Sequence, residues 1–448
     1  MLVGGVKAWA DFRRDYPFAD LCLGFGGLTS GLNIIPRAEV GGIPIHIVSA
    51  TLGAPQMVFP RISSISGPPR DPLSIGGAGA DEDLETAVVR ALAETFERYA
   101  TCVLLEDEYI VDTPSNLGED ALDLRTLPQC ATDEYESPYC YMRPIEMDSP
   151  VRWVRALSLL EGRTVLVPAA MTHLYGRSWV SERFWPQITT GVAAHTDLKK
   201  ALVTAICEVI ERDAIAMTWL MRLELPRLIL DEPPPAIYAN RMKSIDRGKI
   251  QYHFFDATTD LGVPTAYLVQ TADDNPNVAQ FVNCSTEFSW WDAIGKLVRE
   301  AAAGRAYLAS HSQFPDDLRA FSELSHGAAY MGRPEQRAGF DFLLKGDATR
   351  RLSGYPTDSV DTTEQRLAFL MRVFREKGFN IYALDLTTDE LRDVGLNVVR
   401  VLIPDLVPMT PLHSARFLDH PRLYSYPEAA GFGSRTRADV NTAPQPFA

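Results

Sequence analysis

Apolar side chains return along this chain in two rhythms. Leu84, Val88, Leu92 and Phe96 recur every four residues, the period of an amphipathic helix, and predict one over about 81–104. Leu202, Ile206, Val209 and Ala216 mark the buried side of a second helix over about 198–222. A third helix, 292–310, keeps Ala293, Leu297 and Ala301 in step, and a fourth spans 363–377. Shorter β-branched runs predict strands at 43–48, 250–255, 263–270, 381–386 and 398–403. A further pair lies within 151–175, turning at Glu161-Gly162. Glycines at 24–27 and 41–42 read as turns between strands, and 226–235 as a proline-rich connection. The segments 61–80 and 186–197 read as polar loops feeding the first two helices. Strands and helices alternate in groups without a strict βαβ beat, so the predicted class is α+β and not a doubly wound sheet. No linker cuts the chain. The expected organisation is one domain over 1–448, with a strand-rich segment 1–64, a core 65–428 and a proline-containing tail 429–448.

The first two helices carry nearly the same polar motif. Ala91 to Ala100 and Ala205 to Ala214 each set apolar residues around Glu-x-x-Glu-Arg, as Glu94, Glu97 and Arg98, then as Glu208, Glu211 and Arg212. Carboxylates three apart share a helix face. One copy alone reads as a solvated face with local ion pairs. Two copies, plus Glu300 and Arg305 on the third helix, suggest a shared pocket. Four carboxylates at one place must be protonated or neutralised by cations. Glu94, Glu97, Glu208 and Glu211 are therefore the candidate ligands for hard divalent cations, which bridge to a triphosphate. Arg98 and Arg212 are candidates for phosphate oxygens, and the backbone at Gly77, Ala78 and Gly79 for close phosphate approach. The chemistry this describes is metal-assisted phosphoryl transfer.

Composition narrows the partners. With 448 residues and 46% hydrophobic content the chain can bury a large core without disulfides. A net charge of −15 argues against nucleic acid or an anionic membrane as the main partner. Six cysteines without CxxC spacing fit a reducing compartment, and eight histidines without HxxxH or HExxH pairing argue against zinc. Neither a signal peptide nor a membrane span is evident, so the expected location is cytoplasmic. His195 and His413 are assigned no role.

From about Ser74 onward the chain resembles the YcaO family. The resemblance rests on a glycine loop and helix ending in Glu-x-x-Glu-Arg, and on a second such helix ending Glu208 to Asp213. It also rests on Asp256 to Pro264, on a third helix with Glu and Arg, and on Asp385-Leu386-Thr387-Thr388 through Gly395 to Pro404. It implies layered mixed and antiparallel sheets packed with helices around a central nucleotide site. ATP and Mg2+ are the implied cofactors. Ser74, Gly77, Ala78, Gly79, Thr190, Arg98, Arg212, Glu300 and Arg305 are the implied nucleotide contacts, beside the four glutamates on metal.

The implied reaction modifies backbone amides of a ribosomally made precursor peptide by amide O-phosphorylation. Cyclodehydration of Cys, Ser or Thr to azolines leads, and thioamide or amidine formation shares the same activation. A homodimer and a separate leader-peptide-binding partner are expected. The tail Pro444-Gln445-Pro446-Phe447-Ala448 looks like the family's terminus, which implies Pro446 and the Ala448 carboxylate near the chemistry; a disordered end is the alternative. Departures are Ala78 where relatives often carry Lys, Thr190 where they carry Asn, and Ala303 where they carry Gln. These keep a second class open, a catalytically reduced scaffold or peptide-binding subunit.

Overall fold

The computed structural model describes residues 9–22, 27–40, 43–52, 75–174, 179–355 and 360–447. The turns expected at 24–27 and 41–42 lie wholly or largely outside them.

The predicted helices form where the apolar period demands, and local capping sets their starts. Helices of seven or more residues are labelled in chain order. After α1 (Trp9–Asp15) comes α2 (Leu84–Cys102), opened by the Asp83 carboxylate accepting from the Thr86 amide. Helix α3 (Leu198–Leu220) is opened by Asp197 and α5 (Trp290–Ser310) by Ser289, with α4 (Ala236–Arg247) between them. Then come α6 (Leu324–Met331), α7 (Thr363–Lys377), which ends on left-handed Gly378, and α8 (Arg422–Ala429).

Three sheets divide the strands. β1 (Thr29–Val40), β2 (Ile43–Leu52) and β3 (Gly76–Asp81) form an antiparallel meander. A second sheet has the order β11-β10-β9-β8-β12, from β8 (Arg227–Ile229), β9 (Gln251–Asp256), β10 (Thr265–Thr271), β11 (Gln280–Thr286) and β12 (Thr349–Arg351). Its β8–β12 pair is parallel and the rest antiparallel. The third runs β4-β5-β13-β14-β7 with β6 also on β5. Its members are β4 (Ile110–Asp112), β5 (Val151–Ser158), β6 (Thr164–Pro168), β7 (Val192–His195), β13 (Tyr382–Asp385) and β14 (Asn397–Leu402). The arrangement is the α+β class expected, with layered, mainly antiparallel sheets.

Two segments expected as loops instead end in strands, β3 and β7. Glycine carries no strand preference, so packing decides. A Cβ at Gly77 would fall 2.5 Å from the Thr95 amide nitrogen, and one at Gly79 would collide with α2 at the Ala87 carbonyl. β3 can therefore lie directly on α2. β1, β8, β11 and α4 are also elements that the apolar rhythm does not announce.

The tail is packed. Asn441 donates to the Trp219 carbonyl and receives the Arg222 guanidinium, while the Trp219 indole donates to the Ala443 carbonyl. Pro446 and Phe447 are buried, and the Phe447 ring stands edge-on to Tyr267 at 5.4 Å.

Candidate active site

The two copies of the motif are built alike in three dimensions. Glu94 of α2 accepts the Ala78 amide at 2.6 Å on one oxygen and Arg98, one turn on, at 2.7 Å on the other. Glu208 of α3 accepts the Gly191 amide at 3.0 Å on one oxygen and Arg212 at 3.2 Å on the other. In each copy the first glutamate ties its helix to the strand segment that precedes it. Gly191 has φ +83°, and a Cβ there would collide with the Val401 carbonyl on β14, so this turn requires glycine.

The second glutamates differ. Glu97 makes no hydrogen bond or ion pair among the described residues. Burial first, then the charges of Glu208 and Glu94, push its carboxyl well above the usual range. Glu211 is buried and accepts the Thr286 amide at 3.0 Å from β11. Burial raises it too, partly offset by Lys296 and Arg212. Lys296 of α5 stands 3.7 Å from Glu211 and 3.6 Å from Glu287. Burial works against its charge, yet Glu211, Glu300 and Glu287 together hold its pKa above the ordinary lysine range.

Arg400 of β14 is 1% exposed and donates to the Ile188 carbonyl. Burial lowers its pKa to about 10, against the pull of Glu208 and Glu97. Helices α2, α3 and α5 and strand β14 thus bring Glu94, Glu97, Glu208, Glu211, Glu300, Arg98, Arg212, Lys296 and Arg400 into one neighbourhood.

This neighbourhood departs from the expected four-carboxylate cage. Among the described residues no three His, Cys, Asp or Glu side chains converge as a ready metal site. The reason is visible in the partners: Glu94, Glu208 and Glu211 are each held by backbone amides and cations. The donor set still suits Mg2+, which takes one or two carboxylates plus phosphate oxygens and water. Glu97, beside Glu208, makes no hydrogen bond or ion pair among the described residues, so its oxygens are open to a cation. The Nε atoms of Arg212 and Arg400 are buried without a hydrogen-bond partner, which suits an anionic group. Mg2+ and a polyphosphate therefore fit the residues present.

The remaining expected residues divide. Thr190 lines a cavity beside Arg212 and Arg400. Gly77 and Ala78 do not offer free amides, because Thr95 Oγ1 and Glu94 take them; with Gly79 against α2, the glycines serve strand–helix contact. Arg305 is not brought to the carboxylates. Five residues beyond Glu300 it leaves from another helix face, and it donates to the Val278 carbonyl. Phe447 reaches Tyr267, which is paired across the ladder with Cys284, whose thiol is pushed well up by burial and then by Glu211. Pro446 is buried in the same tail segment. Ser74 and Ala448 lie outside the described residues.

A family model described as YcaO cyclodehydratase, ATP- and Mg2+-binding, matches residues 76–407. The chain belongs to the YcaO family. An ATP- and Mg2+-dependent, cyclodehydratase-like enzyme agrees with that family's description, as the motifs implied. An uncharacterised protein of Methanothermobacter thermautotrophicus is 26% identical over 345 residues, 73% of this chain and 81% of that protein. A heterocyclase in complex with substrate and cofactor superposes with a TM-score of 0.79 at 20% identity, covering 98% of this chain. This chain spans only 58% of that heterocyclase. The YcaO protein of Methanopyrus kandleri, bound with AMPPCP and Mg2+, superposes with a TM-score of 0.59 at 17% identity, covering 88% of this chain and 89% of that one. At these identities the superpositions establish the YcaO fold.

Within this YcaO site, sequence reasoning missed Lys296 and Arg400. Lys296 precedes Glu300 by four residues and shares its helix face. Arg400 is a lone charge in the apolar run Val398-Val399-Arg400-Val401-Leu402, and such a residue is seldom buried without a partner.

Proposed function

We propose that this YcaO protein uses ATP and Mg2+ to activate backbone amides of a ribosomally made peptide, with cyclodehydration of Cys, Ser or Thr to an azoline as the leading reaction. The observation that carries the proposal is the meeting of Glu97 and Glu208 from two matched helices, with Arg212 and Arg400 beside them, in a chain the family model matches.

Bound ATP would supply the phosphoryl group that makes an amide oxygen a leaving group. Glu97 and Glu208 would hold Mg2+ through carboxylate oxygens, offsetting the burial and the carboxylate repulsion that raise the Glu97 carboxyl. Arg212 and Arg400 would hold anionic oxygens with their unpartnered Nε–H groups. Lys296 keeps Glu211 and Glu287 from adding further repulsion. Thioamide or amidine formation would use the same residues with a different nucleophile. A homodimer and a leader-binding partner protein belong to the same proposal.

Incubation of the protein with ATP, Mg2+ and a precursor peptide, followed by mass spectrometry, tests it. Loss of one water mass with matching phosphate release supports azoline formation. With sulfide added, replacement of oxygen by sulfur supports thioamidation. ATP turnover without any peptide mass change, with and without neighbouring gene products, contradicts the peptide reading.

A further inference from the structure

Cys130 and Cys140 flank the short helix Thr132–Tyr135 in sequence and meet in a small core of their own, with Met142, Leu412, Ala415 and Phe417. They are 3% and 7% exposed, and both are free thiols. The Cys130 thiol acts as donor to Cys140, which pulls the Cys140 thiol below the ordinary cysteine range and pushes Cys130 above it. The Met142 amide and Arg143 favour the Cys140 thiolate further, against the effect of burial. The other four cysteines differ, since burial raises each of them. Cys130 also lines a cleft of about 960 Å3 that is open to solvent, so a small reactant has a way in.

The pair packs against a strained turn. Phe417 has φ +57°, a conformation that a bulky side chain rarely adopts. Glu134, between the two cysteines in sequence and buried, accepts the amides on both sides of Phe417, from Arg416 at 2.6 Å and from Leu418 at 2.9 Å. Asp133 beside it pairs with Arg437 at 2.7 Å. Arg416 in turn donates to the Asn441 carbonyl, and Asn441 donates to the Trp219 carbonyl near the end of α3, the helix of Glu208 and Glu211. The loop 130–140 is thus a clasp on the last segment of the chain.

We propose that Cys130 and Cys140 are a reversible modification site, joined into a disulfide by a peroxide, and that this bond locks the clasp. The Cys140 thiolate attacks one peroxide oxygen and breaks the O–O bond, which leaves a sulfenic acid and releases hydroxide. The Cys130 sulfur then displaces the sulfenic oxygen as water. Two thiols are oxidised and one hydrogen peroxide is reduced, giving one disulfide and two waters. Thiols reverse the reaction, so in a reducing compartment the bond is transient. The inference is independent of the peptide chemistry proposed above.

The reduced full chain is treated with limiting hydrogen peroxide, remaining thiols are blocked with iodoacetamide, and a digest is mapped by mass spectrometry without reductant. The expected first product is the peptide spanning both cysteines, two hydrogens lighter and resistant to iodoacetamide. The melting temperature is expected to rise by about 3 °C and to return on adding dithiothreitol. Hydrogen exchange at the amides of residues 412–420 is expected to slow at the same time. Cys130→Ala and Cys140→Ala are each expected to show neither gain, and either one that folds suffices. Earlier oxidation of the other four cysteines, a link that forms only in urea, or sulfinic acid at Cys140 with Cys130 untouched overturns the site. A link that changes neither melting nor exchange overturns the lock.

Discussion

Glu94 and Glu208 occupy the same position in two copies of one local structure: each accepts a backbone amide from the preceding segment and the arginine four residues on. This explains why an otherwise ordinary ion-pair motif appears twice. The first glutamate of each pair anchors its helix, and the second is left to other partners. On the α2 side Glu97 stands beside Glu208 without a hydrogen bond or ion pair among the described residues. On the α3 side Glu211 is absorbed by Thr286 and Lys296.

Glu97 makes stability fall as pH rises. Its carboxyl titrates higher in the folded chain than in the unfolded one. The native state therefore holds the extra proton between those two values, and stability is lost as pH climbs through the upper one. Glu97→Gln removes the titration. Its melting temperature is expected to match wild type near pH 5 and to exceed it at pH 8 when Mg2+ is absent. A variant that melts lower than wild type at pH 8 contradicts the pairing with Glu208.

Lys296 neutralises two carboxylates that burial already disfavours. Lys296→Met is expected to cost about 2 kcal/mol at pH 8 in urea unfolding, less than a wholly buried pair because Lys296 keeps some water contact. The pKa values of Glu211 and Glu287 are both raised. They take up protons as pH falls, so the loss is expected to shrink toward pH 5. A pH-independent loss would assign Lys296 a packing role only.

Phe447 is 2% exposed against Tyr267. Phe447→Ala is expected to cost about 3 kcal/mol in global stability. Residues 441–447 are packed and are not a disordered end. A loss below about 0.5 kcal/mol, the scale of surface substitutions, contradicts it.

The helices were legible because burial on one face imposes a period that needs no tertiary knowledge. Helix α7 matches its expected span, 363–377, and α3 departs from its own by two residues at the end. β3 was not legible, since Gly76-Gly77-Ala78-Gly79 becomes a strand only through contact with α2 and pairing with β2. The four glutamates were legible as a motif, but not the division of labour among them. That division depends on the amides of Ala78, Gly191 and Thr286, which lie 16, 17 and 75 residues away in sequence. Arg305 misled because it repeats the motif in spelling while its spacing from Glu300 turns it to another side. Arg400 was hidden in an apolar strand and becomes informative only when β14 is seen beside α2 and α3.

Calorimetry of the full chain with AMPPCP, with and without Mg2+, tests the central claim most directly, in wild type and in Glu208→Gln. The uncharged amide can still accept from Gly191 and leave the turn intact, so the comparison isolates the carboxylate charge. Wild type is expected to bind only with Mg2+. Glu208→Gln is expected to lose about 100-fold in that affinity or more while its melting temperature stays close to wild type. Mg2+-independent binding, or unchanged affinity in Glu208→Gln, would contradict a metal–nucleotide site at the meeting of these two helices.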